Sequence, residues 1–283
     1  MLGRAIDYLI DYKDRQRIAI ALAKGGASML SREVDLRDPQ SWEFSGFSQN
    51  GEDGIIDVLR RQLSTSNRYV VEIGAADGTE NNSSWLLMAE RFEGLMIEGD
   101  PRQSARARRN VARYSIGSEC LSMFVTLGTV DRIILQKIHH PDADVFSLDI
   151  DGNDYHIAKQ LFSQGFRPKI VSVEYNSAFG PERSIASVYR DDFSRASGHP
   201  SQLYYGVSIA AWKRFFAERG YRFVTVDSKG VNAFFVDPVH FDAGFLDGVR
   251  GLAFEENRYQ LRHYGKDHAG QFAAIADQPF EQV

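Results

Sequence analysis

Acidic and amide side chains recur where apolar runs stop. YVVEI (69–73) carries Glu72, GLMIEGD (94–100) closes on Glu98 and Asp100, VFSLDID (145–151) on Asp149 and Asp151, and KIVSVEYN (169–176) on Glu174 and Asn176. The first run continues into a loop of small residues, VVEIGAADGTENN (70–82), in which Gly74 and Gly78 stand beside Asp77 and Glu80. Carboxylates gathered in one place can hold a hard divalent cation through oxygen, accept a proton, or face an organic cation. They disfavour a phosphate, which wants backbone N–H groups at a helix terminus.

The chemistry needs elements that bring these residues together. After YVVEI the pattern predicts a helix through Trp85, Leu86, Leu87 and Met88, and after GLMIEGD a helix over 101–114 that opens on Pro101 and holds its arginines in solvent. CLSMFVTL (120–127) reads as a third strand followed by a helix through Ile133, Ile134 and Leu135; YHIAKQLFSQG (155–165) reads as a helix ended by glycine. A helix through Trp212, Phe215 and Phe216 leads to YRFVTVD (221–227) and NAFFVD (232–237), an antiparallel pair. This alternation predicts an open, mostly parallel α/β sheet with helices on both faces, where ligands sit beyond the carboxyl ends of the strands. Any one acid there can merely cap a helix or face water, but the set converges on one edge. DIDGND (149–154) partly matches the start of an EF-hand loop, yet its glycine stands too early and no glutamate occupies the twelfth position.

The rest of the composition narrows the class. A chain of 283 residues, 43% hydrophobic and 25% charged, suits one large globular domain with appendages. A net charge of −5 offers no basic field for nucleic acid. With Cys120 alone there is no internal disulfide, so a reducing, cytoplasmic compartment is expected and Cys120 reads as a small buried apolar residue. In the first thirty residues Leu2, Ile6, Leu9 and Ile10 recur at helical spacing among Asp7, Asp11 and Asp14. That predicts an amphipathic helix packed on the main domain or on a second copy in a homo-oligomer, not a membrane span, signal peptide or anchor. The expected organisation is a helical extension (1–46), a domain over 47–240 with a substrate loop at 177–205, and a C-terminal extension (241–283) without assigned chemistry.

The loop 70–82 lacks G-x-G-x-x-G, which with its acids argues against a pyrophosphate cofactor and for a cationic adenosine compound. S-adenosylmethionine offers an ammonium, a sulfonium and a ribose diol that Glu98 could hold. EIGAADG (72–78) resembles the glycine-rich first motif of class I S-adenosylmethionine-dependent methyltransferases, and IEGD (97–100) their second-strand acidic motif. With FSQNGEDGIIDVL (47–59), SLDIDGNDYHI (147–157) and VSVEYN (171–176), the pieces resemble the FkbM-like branch over residues 47–237. The usual K-x-D-x-E-G pattern of that branch is replaced by SLDIDGND. The resemblance implies a Rossmann-like, mostly parallel seven-stranded sheet and an O-methyltransferase acting on a hydroxyl of a small molecule or a glycan or cell-surface sugar precursor. It assigns Glu72, Gly74, Asp77 and Gly78 to the amino-acid part of the cofactor and Glu98 to its ribose. Gln49 and Asn50 fall beside the methionine or in a lid, Asp149 adjoins cofactor and acceptor, and Glu52 and Asp53 read as charges on a helix's first turn.

Methyl transfer needs an acceptor hydroxyl held near the methyl carbon and relieved of its proton. One route collects Mg²⁺ or Mn²⁺ on Asp149, Asp151 and Glu174, with Asn176 or Asp154 completing the set. The other has no metal and uses His156 or an acid as base. In the loop 177–205, Tyr189, Arg190, Tyr204 and Tyr205 are candidates to hold the acceptor. A binding protein that keeps the fold without turnover, and an NAD-linked sugar enzyme, are the alternatives.

Overall fold

The protein is described here by a computed structural model covering residues 2–131 and 135–283, with side chains from Tyr8 onward; the expected helical positions Ile133 and Ile134 lie outside the described residues. Its centre is a seven-stranded sheet in the order β3-β2-β1-β4-β5-β8-β7. The strands are β1 Tyr69–Ile73, β2 Glu93–Glu98, β3 Ser118–Ser122, β4 Val145–Leu148, β5 Ile170–Glu174, β7 Arg222–Val226 and β8 Asn232–Val236, with a short β6 Ile185–Ser187 outside this sheet. β1 to β5 run parallel, whereas β8 is antiparallel to both β5 and β7. This is the Rossmann-like, mostly parallel seven-stranded arrangement expected from the sequence. Every residue of β1, β4 and β5 is buried, as strands covered on both faces must be.

One face is packed by α5 (Asp154–Ser163) and α6 (Ile209–Ala217) through Ile157, Leu161, Trp212, Phe215 and Phe216. The other carries α1 (Leu2–Ser31), α2 (Glu52–Arg61), α3 (Ser84–Met88) and α4 (Pro101–Val111) through Ile18, Ile55, Leu59, Trp85, Leu87 and Val111. β3 starts and stops earlier than expected. Its register with β2 runs from Gly94↔Ser118 to Glu98↔Ser122, so it ends with its neighbour, and Thr126 then caps a short helix. Cys120 is buried, its Sγ 3.8 Å from the Met96 sulfur.

Some of the arginines of 101–114 find partners, whereas Arg102 and Arg109 stay exposed as expected. Arg106 donates to Asp14 at 2.6 Å and lies 2.8 Å from Asp77, Arg113 pairs with Asp11, and Arg108 donates to the Cys120 carbonyl. These contacts fasten α1 along the domain, where Gly25 lies so close to the Trp85 ring that a Cβ would stand 2.2 Å from it. Among the described residues no helix is long and apolar enough to cross a membrane.

Residues 241–283 fold back over the domain. α7 (Ala243–Gly248), α8 (Arg258–Tyr264) and α9 (His268–Ala273) precede β9 (Phe280–Gln282), which pairs antiparallel with β6 in the middle of the loop 177–205. Phe179, Leu203, Tyr204, Tyr205 and Ile275 form a separate apolar cluster beneath them.

Because Asp14 is buried and Arg106 is its one ion-pair partner among the described residues, Arg106→Ala strands a carboxylate. A loss of roughly 1–3 kcal/mol in denaturant unfolding and faster proteolysis within α1 are expected. Unchanged cleavage would show that α1 is held by its apolar contacts alone.

Candidate functional site

The loop after β1 is built around Glu72. Its carboxylate accepts from the backbone N–H of Asn82 at 2.9 Å and of Ser83 at 3.2 Å, and from the Ser83 hydroxyl. Burial pushes it up to about 7 against those bonds. Gly74, at φ +92°, has no room for a side chain, since a Cβ would stand 1.6 Å from the Asp149 carbonyl oxygen. Two expected cofactor residues face elsewhere. A Cβ on Gly78 would stand 3.1 Å from Ala107 Cα, so that glycine lets the loop approach α4, and Asp77 accepts from Thr79 and pairs with Arg106. Asn81 and Asn82 brace the loop, donating to the Ala75 carbonyl and the Ser147 hydroxyl.

Three cavities meet at the strand ends. The first, about 350 Å³, is lined by Gly74, Ile97, Glu98, Met123, Phe124 and Asp149. Glu98 is fixed there by the N–H groups of Ala76 (2.8 Å) and Asp100 (2.7 Å). The second, about 120 Å³, holds Glu52, Glu72, Glu80 and Asp149 and has no Lys, Arg or His in its lining. In the same lining, Asn50 Oδ1 and Asn232 Oδ1 are buried without a hydrogen-bond partner. Glu52 accepts from the Nδ2 groups of Asn50 and Asn232, each at 2.8 Å. Asp53 accepts from the N–H groups of Gly46, Phe47 and Ser48 at 2.7–2.9 Å. These two acids shape the 46–53 segment and do more than charge a helix's first turn. The third cavity, about 580 Å³, lies against Asp149, Asp151, Glu174, Gln49 and Asn50.

Asp149, Asp151 and Glu174 converge, with one oxygen of each within 4.8 Å of the others. Burial, then the charges of Asp151 and Asp154, raises Asp149 well above the usual carboxylate range; burial, then Asp149, does the same to Glu174. Carboxyls this close and this buried favour holding a proton over carrying two charges. Arg195 Nη1 lies 3.2 Å from Asp151, its Nε donates to the Gln202 carbonyl, and its guanidinium covers the Tyr205 ring at 4.1 Å. The Tyr205 hydroxyl is 3.4 Å from Glu174 Oε1 and accepts from Gln260 Nε2 at 2.9 Å.

The remaining expected residues are engaged elsewhere. Asn176 is no free ligand: its Nδ2 donates to the carbonyls of Leu203 and Tyr205 and its Oδ1 accepts from Ala178. Asp154 turns back to cap its own loop through the N–H groups of Ile150 and Gly152, and burial lifts it to about 6. His156 is not among the clustered carboxylates; its Nε2 is 3.0 Å from the Ser187 carbonyl and its Nδ1 3.7 Å from Glu281. In the loop 177–205, Tyr189 bonds Leu127 and Asp191, Tyr204 bonds the Pro279 carbonyl, and Arg190 covers Phe193, so all three serve packing. Asn257, Tyr259, Gln260, His263 and Tyr264 line the third cavity although nothing in the sequence marks them. They reach it only because the chain returns there after the sheet is complete.

No protein-family model matches the chain. No curated protein matches it either. Among solved structures it is similar to an O-methyltransferase from Bacillus cereus in complex with SAH, at 15% identity over 78% of this chain and 89% of that one, TM-score 0.42. It is also similar to the O-methyltransferase TomG from Streptomyces achromogenes in complex with SAM (17%, 76% and 87%, 0.42) and to an O-methyltransferase from Klebsiella pneumoniae (15%, 77% and 87%, 0.44). At such scores the functional reading rests on the geometry of the site.

The buried acids set a pH dependence. Glu72 titrates at about 7 when folded against 4.5 ordinarily, and Asp53 at about 7 against 3.8. Between these values the folded state holds protons that the unfolded chain has released, so stability falls as pH rises. The expected Tm of the unliganded protein drops from pH 4.5 to 7, and Glu72→Gln flattens part of that slope. A Tm that climbs across the window would contradict the assignment.

Proposed function

We propose that the protein is an S-adenosylmethionine-dependent O-methyltransferase of FkbM-like type. It methylates a hydroxyl of a small molecule or sugar precursor. The observation that carries this reading is the second cavity, whose lining holds Glu52, Glu72, Glu80 and Asp149 and no Lys, Arg or His, only Glu80 being paired from outside, by Arg17. Such a lining suits an ammonium and repels a phosphate. The adjoining first cavity suits an adenosine, with Glu98 beside the ribose diol and Met123 and Phe124 supplying apolar surface. Its single cysteine, buried beside Met96, supports a reducing, cytoplasmic setting.

S-adenosylmethionine supplies the activated methyl; the chain must orient the acceptor and take its proton. Asp149 lines all three cavities, so it stands where methyl donor and acceptor would meet. The Asp149–Glu174 pair, held above the usual carboxylate range, has the raised basicity of a general base. Tyr205, braced by Gln260, fixes Glu174 from behind. The oxygen donors of Asp149, Asp151 and Glu174 fit a hard divalent ion such as Mg²⁺ or Mn²⁺, which would lower the pKa of an acceptor hydroxyl. A metal-independent route has one observation in its favour: Arg195 already places a cation beside Asp151. Pairing of two copies through the outward face of the first half of α1, which exposes Tyr8, Leu9 and Tyr12, belongs to the same proposal and is checked by sedimentation.

S-adenosylmethionine should bind and raise Tm, and Glu98→Ala should weaken that binding about tenfold or more, as for a lost hydrogen bond to a charged group. Glu174→Gln should keep cofactor affinity while lowering formation of S-adenosylhomocysteine by about 10² or more against polyhydroxylated acceptors. Absence of cofactor binding would end this reading. For the metal, chelator should abolish turnover and Mg²⁺ or Mn²⁺ restore it; full activity in chelator would leave the Arg195 route.

A further inference from the structure

A fourth hollow, about 390 Å³, runs along α1 and has no part in the chemistry above. Its walls are Arg17, Ile20 and Lys24 of α1, the 45–49 segment, and Tyr259 from α8. It adjoins the acceptor cavity, since Gln49 and Tyr259 line both. Together the two spaces reach the upper end of the range for a single ligand site, leaving room for an acceptor with a distal part.

The lining is mixed in a specific way. Ile20 and Tyr259, 59% and 54% exposed, are large apolar side chains that both border this hollow. Glu80 is the one acid in its lining, and both of its oxygens are engaged, Oε1 by Arg17 at 3.2 Å and Oε2 by Gln49 at 3.3 Å. The ion pairs of α1 use Asp11, Asp14, Arg15 and Arg17 and leave Lys24 without a partner among the described residues. Apolar surface with a spare cation is complementary to an amphiphile that carries negative charge.

We propose that this groove is a distal acceptor subsite, taking an apolar segment with an anionic group, phosphate or carboxylate, at the end of the acceptor remote from the methylated hydroxyl. It rests on the methyltransferase reading for the word acceptor, and its binding test does not. In this arrangement α1 is a wall of the substrate path as well as a structural strap.

The test uses the full chain with hexyl phosphate, hexanoate, hexanol and inorganic phosphate as probes, followed by calorimetry. Hexyl phosphate or hexanoate should bind about tenfold or more tightly than hexanol and inorganic phosphate. The tighter of the two identifies the anion. Lys24→Glu and Tyr259→Ala should each remove most of that preference, whereas Leu30→Glu, exposed on the same helix outside the groove, should not. All three positions are exposed, and circular dichroism melts verify folding. The proposal is overturned by no binding at about 10 mM, by inorganic phosphate matching the alkyl probes, or by Lys24→Glu and Tyr259→Ala leaving affinity unchanged. It is likewise overturned if Leu30→Glu abolishes the response, as it would if α1 met the probe as a membrane-like surface. S-adenosylmethionine binding, measured on the same samples, separates failure of the enzyme reading from failure of the subsite.

Discussion

A carboxylate taken out of water persists only if neighbours hold its charge or a proton removes it, and this chain buries several along a single edge of its sheet. Each has found one of a few solutions. Glu72, Asp53 and Asp154 collect backbone N–H groups, Asp14 and Asp77 take Arg106, and Asp149 and Glu174, crowded together, are pushed toward their protonated forms. The first two solutions fix loops and helices. The third leaves a titratable group facing open space, which is why chemistry is assigned there and not to the other acids.

That distinction explains the positions at which the sequence misleads. Residue type and spacing bring Glu72, Glu98, Asp149, Asp151 and Glu174 to one edge, because strand ends are legible from apolar runs that stop. They do not reveal which way a short polar side chain turns. Asp154 and Asn176 stand within two or three residues of the cluster, yet both bond backbone of adjacent loops, because short Asp and Asn side chains compete readily for nearby N–H and C=O groups. Gly78 has the same ambiguity: a glycine can admit a ligand or another element, and here it admits α4.

The central strand YVVEI is matched residue for residue, since a strand buried on both faces has an unbroken apolar signature. β3, nearer the edge, lacks that signature and is set by its register with β2. What the sequence hides altogether is long-range return. Arg106 looks like solvated surface until α1 is laid against it, and Gln260 looks like ordinary surface until it meets Tyr205, 55 residues earlier.

The dependence on α8 also orders events in time. The cavity suited to adenosine is lined by residues from Ile73 to Phe193, whereas the larger cavity beside it needs Asn257 through Tyr264. During synthesis the first can therefore form while the larger one still lacks a wall. On the proposed reading, a chain emerging from the ribosome would be able to hold S-adenosylmethionine before it could recognise an acceptor.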